Sequence, residues 1–129
     1  MKYIYPKKGA KVVGPYSPGI EHNGFIFTAG QIGKDPKTDQ LLEGIENQTK
    51  QVILNLEAIL VAAGSSLNKV VKTTVFITDM EAYAKMNEVY GSFFKENKPA
   101  RSTVQVGSLP AGALIEIEAI AVKEKNPNI

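Results

Sequence analysis

No cysteine occurs among the 129 residues, which removes disulfides, thiolate nucleophiles and cysteine-based metal sites together. Histidine is nearly as scarce: His22 stands alone, so one chain cannot assemble a histidine-rich metal site. No apolar run approaches the roughly 18 residues of a membrane span, and the N-terminus lacks the apolar stretch of a signal peptide. A soluble cytoplasmic chain is the expectation. Neither sign of charge dominates, the net charge being +2. The densest basic group, Lys7, Lys8 and Lys11, reads as a solvated face and not as a nucleic-acid footprint. Arginine is the last scarcity, because Arg101 is the only one beside fourteen lysines. Arginine at that one place points to a need that lysine meets badly: a rigid, planar fork that binds a carboxylate or phosphate through two parallel hydrogen bonds.

A chain of this length buries roughly two-thirds of its unfolded surface, enough for one domain, 1–129, without staples. Residues 2–5 read as a short strand or arm ended by Pro6. Gly9 to Pro18 is loop, and Gly14-Pro15-Tyr16-Ser17-Pro18-Gly19 packs two glycines and two prolines around one tyrosine. Tyr16 is therefore held in place, either for a functional purpose or as an aromatic lid on the core. Strands are expected near 19–22 and 25–29, with Asn23-Gly24 as a type I′ hairpin turn. Residues 34–43 read as a polar surface loop. The first helix is expected over 45–63, with Ile45, Val52, Leu56, Ile59, Leu60 and Ala63 on one face and Gly64 just past its end. A β-branched run, 70–77, is a strand. Thr78-Asp-Met-Glu81 then has the pattern of a capping box opening a second helix. In that helix Tyr83, Met86, Tyr90 and Phe93 form a stripe that reads as core, and Asn87 lies at the edge of the stripe.

The last two strands, 101–106 and 113–122, read as a hairpin turned by Gly107, Pro110 and Gly112; residues 123–129 read as a frayed tail. The order β-β-β-α-β-α-β-β gives an α+β fold with both helices on one sheet face. Alternation divides the hairpin into two sets. Ser102, Val104 and Val106 are expected beneath the helices with Ile115, Ile117, Ala119 and Ala121. Arg101, Thr103 and Gln105 are expected on the uncovered face with Glu116 and Glu118. Leu114, Ile120 and Val122 share that face and make it too apolar for water alone, so a second subunit is expected to cover it. The alternative for Arg101 and the glutamates is a plain cross-strand ion pair of little consequence.

Pro99-Ala-Arg101-Ser, Leu109-Pro110 and Ile115-Glu-Ile-Glu-Ala119 together resemble the signature of the RidA (YjgF-type) reactive-intermediate deaminases. Gly14-Pro-Tyr16-Ser, Thr28-Ala-Gly-Gln-Ile32, Ala62-Ala-Gly64, Val71-Lys-Thr-Thr-Val75 and Met86-Asn87 with Tyr90 extend the resemblance over nearly the whole chain. The resemblance implies a chorismate-mutase-like fold of about six strands in a mixed sheet with two helices. It also implies homotrimers with clefts between subunits. The implied activity is hydrolysis of enamine and imine carboxylates, 2-aminoacrylate/2-iminopropanoate and 2-iminobutanoate, to 2-keto acids and ammonia, with no cofactor or metal. By the same resemblance Arg101 clamps the substrate carboxylate, Glu116 handles water, and Tyr16 reaches in from the neighbouring chain. Gly30, Asn87, Thr103 and Ala29 line the site, and Glu118 matches a glutamate that is not catalytic. Ala29 and Thr103 stand where many members carry serine and cysteine, which puts substrate range in question more than reaction class. Two alternatives remain: a non-catalytic module that binds a small carboxylate in the same cleft, or an RNA-cleaving translation inhibitor. One histidine and a near-neutral charge support the second poorly.

Overall fold

Alternation and helical periodicity sort residues 1–124, those described by a computed structural model, into nine strands and two α-helices. The strands are β1 (Lys2–Ile4), β2 (Gly19–His22), β3 (Phe25–Thr28), β4 (Gln31–Ile32), β5 (Lys34–Asp35), β6 (Gln40–Leu41), β7 (Val70–Ile77), β8 (Ala100–Gln105) and β9 (Ile115–Val122). Helix α1 spans Ile45–Ala62 and α2 spans Tyr83–Phe93. The main sheet runs β1-β2-β3-β9-β7-β8, with β4 also paired to β9. All its pairings are antiparallel except β7 with β8, which run parallel across the α2 connection. The expected loop at 34–43 contains a small separate hairpin, β5-β6.

Local chemistry explains the ends of these elements. Asn23 and Gly24 both take positive φ (53° and 81°), turning β2 into β3 with His22 opposite Phe25. Helix α1 closes with two hydrogen bonds, Ser65 N–H to Leu60 O at 2.8 Å and Gly64 N–H to Val61 O at 3.0 Å, the Schellman arrangement. Its expected apolar face is buried throughout: Val52 and Leu60 are fully enclosed, with Ile45, Leu56, Ile59 and Ala63 beside them. The second helix departs from the expected capping box by one residue. Asp79, not Thr78, accepts from the Glu81 N–H at 2.9 Å, and a 3₁₀ turn over Met80–Ala82 precedes α2. At the C-terminal end Lys123 and Glu124 are tied down, by Lys123 N–H to Gly24 O, Glu124 N–H to Gly64 O and a 3.1 Å Lys123–Glu21 ion pair. The remainder of the expected tail lies outside the described residues.

The final hairpin does not form. Strand β7 lies between β8 and β9, which makes β8 a sheet edge. Register then assigns the faces. Thr73 is level with both Arg101 and Ala119, and Val75 with both Thr103 and Ile117. Arg101, Thr103 and Gln105 therefore lie on the helix face, against expectation, while Val104 is 44% exposed on the other face. Gln105 confirms its side by accepting from Met80 N–H, at the entrance to α2, at 2.8 Å. Glu116 and Glu118 are level with Phe76 and Thr74 on the open face, as expected. Besides Ile120 and Val122, that open face carries Phe25 and Phe27, both more than two-fifths exposed.

Candidate functional site

Two polar clusters occupy opposite faces of the sheet. The first surrounds Arg101. Strand β8 presents this side chain beneath α2, whose stripe residues Tyr83 and Tyr90 flank it. The guanidinium carbon lies 4.8 Å from the centre of the Tyr90 ring and 5.6 Å from that of Tyr83, within the range of cation–π attraction. Arg101 Nη2 donates to the Tyr83 hydroxyl at 2.9 Å. The Tyr90 hydroxyl is tied to Thr73 Oγ1 at 2.7 Å, so the platform under the guanidinium is fixed to β7. Burial pushes the Tyr90 phenol up, against smaller opposing effects of Thr73 and Arg101. Tyr83 moves the other way: the Asn87 amide, one helical turn along, and the charge of Arg101 hold it below the ordinary value of 10.0. Asn87 Oδ1 is buried and has no hydrogen-bond partner among the described residues. Thr103, two residues from Arg101 on the same face, is half-buried.

The second cluster surrounds Glu116. A cavity of about 350 Å³ on the open face is lined by Tyr16, Gly30, Ile32, Pro110, Ala111 and Glu116, among others. Pairing of β4 with β9 sets Ile32 opposite Glu116, and the Gly14–Gly19 loop brings Tyr16 over the same space. Burial first, and the charge of Glu118 second, raise the Glu116 carboxyl above 4.5. Gly30 lies against this carboxylate so closely that an added Cβ would come within 2.8 Å of its Cδ. Gly30→Ala is accordingly expected to displace the carboxylate, a flexible side-chain end, while the melting temperature changes little. Ala29 is adjacent in sequence but is not among the cavity-lining residues.

The expected sharing of one face by Arg101 and Glu116 is therefore not observed. Arg101 shares its face with Thr103 and reaches Asn87 only through Tyr83; Glu116 gathers Tyr16 and Gly30. The contribution of Tyr83 and Tyr90 to the Arg101 cluster was not legible from their spacing, since an aromatic stripe on a helix reads as core. Among the described residues no three His, Asp or Glu side chains converge as a metal site requires. None of the described helices is long and apolar enough to cross a membrane.

Residues 7–123 match the family model described as Endoribonuclease L-PSP. The chain belongs to the RidA (YjgF-type) family. Among its relatives, a RutC family protein of Pyrococcus horikoshii is 54% identical over 122 residues, covering 94% of this chain and 97% of that one. The 2-iminobutanoate/2-iminopropanoate deaminase of Mus musculus is 43% identical over 123 residues, with 95% and 91% covered. Among RidA-family structures, that of E. coli TdcF with bound serine superposes with a TM-score of 0.93 at 41% identity, covering 96% of this chain and all of that one. The α+β architecture with its mixed sheet and two helices is thus the RidA-family fold.

Proposed function

We propose that the chain hydrolyses enamine and imine carboxylates, 2-aminoacrylate/2-iminopropanoate and 2-iminobutanoate, to 2-keto acids and ammonia, in clefts between copies of itself in a homotrimer. One observation carries the reading. The only guanidinium in the chain is half-buried between two tyrosine rings, and among the described residues no carboxylate pairs with it. A fixed, unpaired fork is a receptor for a ligand carboxylate. The serine bound to TdcF, an amino carboxylate, and the activity named for the Mus musculus relative support the same ligand class.

The opposite placement of the two clusters supports a cleft between copies. A head-to-tail interface closes into a ring when the edge of one subunit meets a different surface of the next. Such an interface sets the Arg101 edge of one copy against the Glu116 cavity of its neighbour and covers Phe25 and Phe27. In that cleft Arg101 orients the carboxylate, and the imine carbon faces water held by Glu116. Tyr16 enters with Glu116, and Gly30 leaves the space that the carboxylate occupies. Water adds across the C=N bond to give a carbinolamine, which expels ammonia and leaves the keto acid. A carboxyl raised toward neutrality suits both halves of this sequence, accepting a proton from water and returning it to the departing nitrogen.

The test is ammonia release from imines generated by an amino-acid oxidase, compared with the spontaneous rate. Glu116→Gln is expected to lower turnover about 100-fold while retaining 2-oxobutanoate binding. Binding without any rate above background in the unmodified protein would leave a carboxylate-binding module instead. The acid limb of the rate profile is expected above the ordinary 4.5, and Glu118→Gln should move it to lower pH by removing a like charge. The folded carboxyl binds its proton more tightly than the unfolded one. That contribution is complete below 4.5 and is lost as pH rises through the raised value, so Glu116→Gln should raise the neutral-pH melting temperature.

A further inference from the structure

We infer that Tyr83 is a further catalytic residue, its hydroxyl donating to the nitrogen at the 2-position of the ligand whose carboxylate Arg101 holds. The inference rests on the imine-hydrolysis reading above and assigns the phenol a task within it.

The Tyr83 hydroxyl carries one proton. Its oxygen is the acceptor in the 2.9 Å bond from Arg101 Nη2, so the phenolic O–H must point elsewhere. Asn87 Oδ1, the nearby buried acceptor, has no hydrogen-bond partner and does not take it. Among the described residues, no other acceptor takes it up. A partly exposed hydroxyl with its proton unspent, pinned to the one guanidinium of the chain, faces the place where a ligand would sit.

Fork geometry decides which ligand atom it meets. The two N–H bonds of Nη2 diverge by about 120°, and one is committed to Tyr83. A carboxylate oxygen on the other N–H stands about 5 Å from the phenol oxygen, too far for a direct hydrogen bond. The substituent on the carbon next to that carboxylate bridges this gap. In an imine or enamine carboxylate that substituent is nitrogen. Tyr83 thus reads the atom that leaves, and the rest of the fork reads the carboxylate. The Asn87 amide first, and the neighbouring guanidinium second, favour the ionised phenol, which makes it a better acid than a free tyrosine.

The proton sequence balances. As water adds, one of its protons passes to Glu116 of the adjoining copy and the nitrogen takes the Tyr83 proton. When the C–N bond breaks, the new hydroxyl returns its proton to the phenolate, and the Glu116 proton leaves with ammonia. One water enters, one ammonia departs, and both side chains are restored.

Tyr83→Phe keeps the ring against Arg101 and removes only the hydroxyl. The expected result is a kcat about 100-fold lower for 2-iminobutanoate, with 2-oxobutanoate affinity unchanged and the alkaline limb of the kcat profile abolished. A kcat within about threefold of the unmodified protein would overturn the assignment. So would a matched loss of kcat and 2-oxobutanoate affinity, because Tyr83 would then act only by holding Arg101. Arg101→Ala, run in parallel, separates the two readings: retained hydrolysis in that variant would sink the imine-carboxylate reading itself, whatever Tyr83 does.

Discussion

Arg101→Lys is expected to lower 2-iminobutanoate hydrolysis by about 100-fold or more while leaving the melting temperature nearly unchanged. Lysine keeps the charge but loses the plane and the fork. It cannot stack on Tyr90 at 4.8 Å and donate to Tyr83 while also presenting two parallel N–H groups to a carboxylate. A point charge on a flexible stem would still attract the ligand, but it would not orient the imine carbon toward water. Stability should survive because Arg101 is half-buried at a sheet edge and, among the described residues, takes part in no ion pair whose loss would strand a charge. The measurements are the coupled imine assay and a thermal melt of the same preparation. A near-unmodified rate would remove the bidentate clamp from the mechanism.

Mixing two inactive variants should restore activity. In the proposed homotrimer, Arg101→Ala and Glu116→Gln would each spoil every cleft. In mixed rings, however, some clefts take their arginine from a Glu116→Gln chain and their glutamate from an Arg101→Ala chain. Random mixing of equal amounts makes about a quarter of the clefts intact, so activity should rise from near zero to about that fraction of the unmodified level. The expectation follows from register. Thr73 is level with Arg101 and Phe76 with Glu116, and three residues along one strand separate opposite faces. If one chain could bring both groups to one ligand, mixing after dissociation and reassembly would recover nothing. That outcome would overturn the shared cleft and leave the Arg101 result standing.

Much of the architecture was legible because it is encoded locally. The buried face of α1 follows from helical spacing, and the β2–β3 turn follows from two adjacent residues that tolerate positive φ. The Ile115, Ile117, Ala119 and Ala121 set was identified as core because alternation in β9 is strong and its partner strands supply matching apolar residues. Sequence also singles out Arg101, through its being the only arginine. Its side of the sheet was not legible there. Alternation divides a strand into two sets without saying which set faces the helices, and the more apolar set was assigned inward. In β8 that rule fails, since the open face is itself rich in Phe, Ile and Val and accommodates Val104.

The pairing of β8 was equally hidden. Residues 101–122 look like a hairpin because Gly107, Pro110 and Gly112 lie between two extended runs. A parallel partner 28 residues earlier in the chain, Thr73 beside Arg101, leaves no mark at short range. Residue types, helix faces, turns and the chemistry available to each side chain are properties of neighbours along the chain, and they were readable there. Strand order is set by contacts between distant segments. It alone determined that Arg101 would meet Tyr83 and Tyr90 and be parted from Glu116.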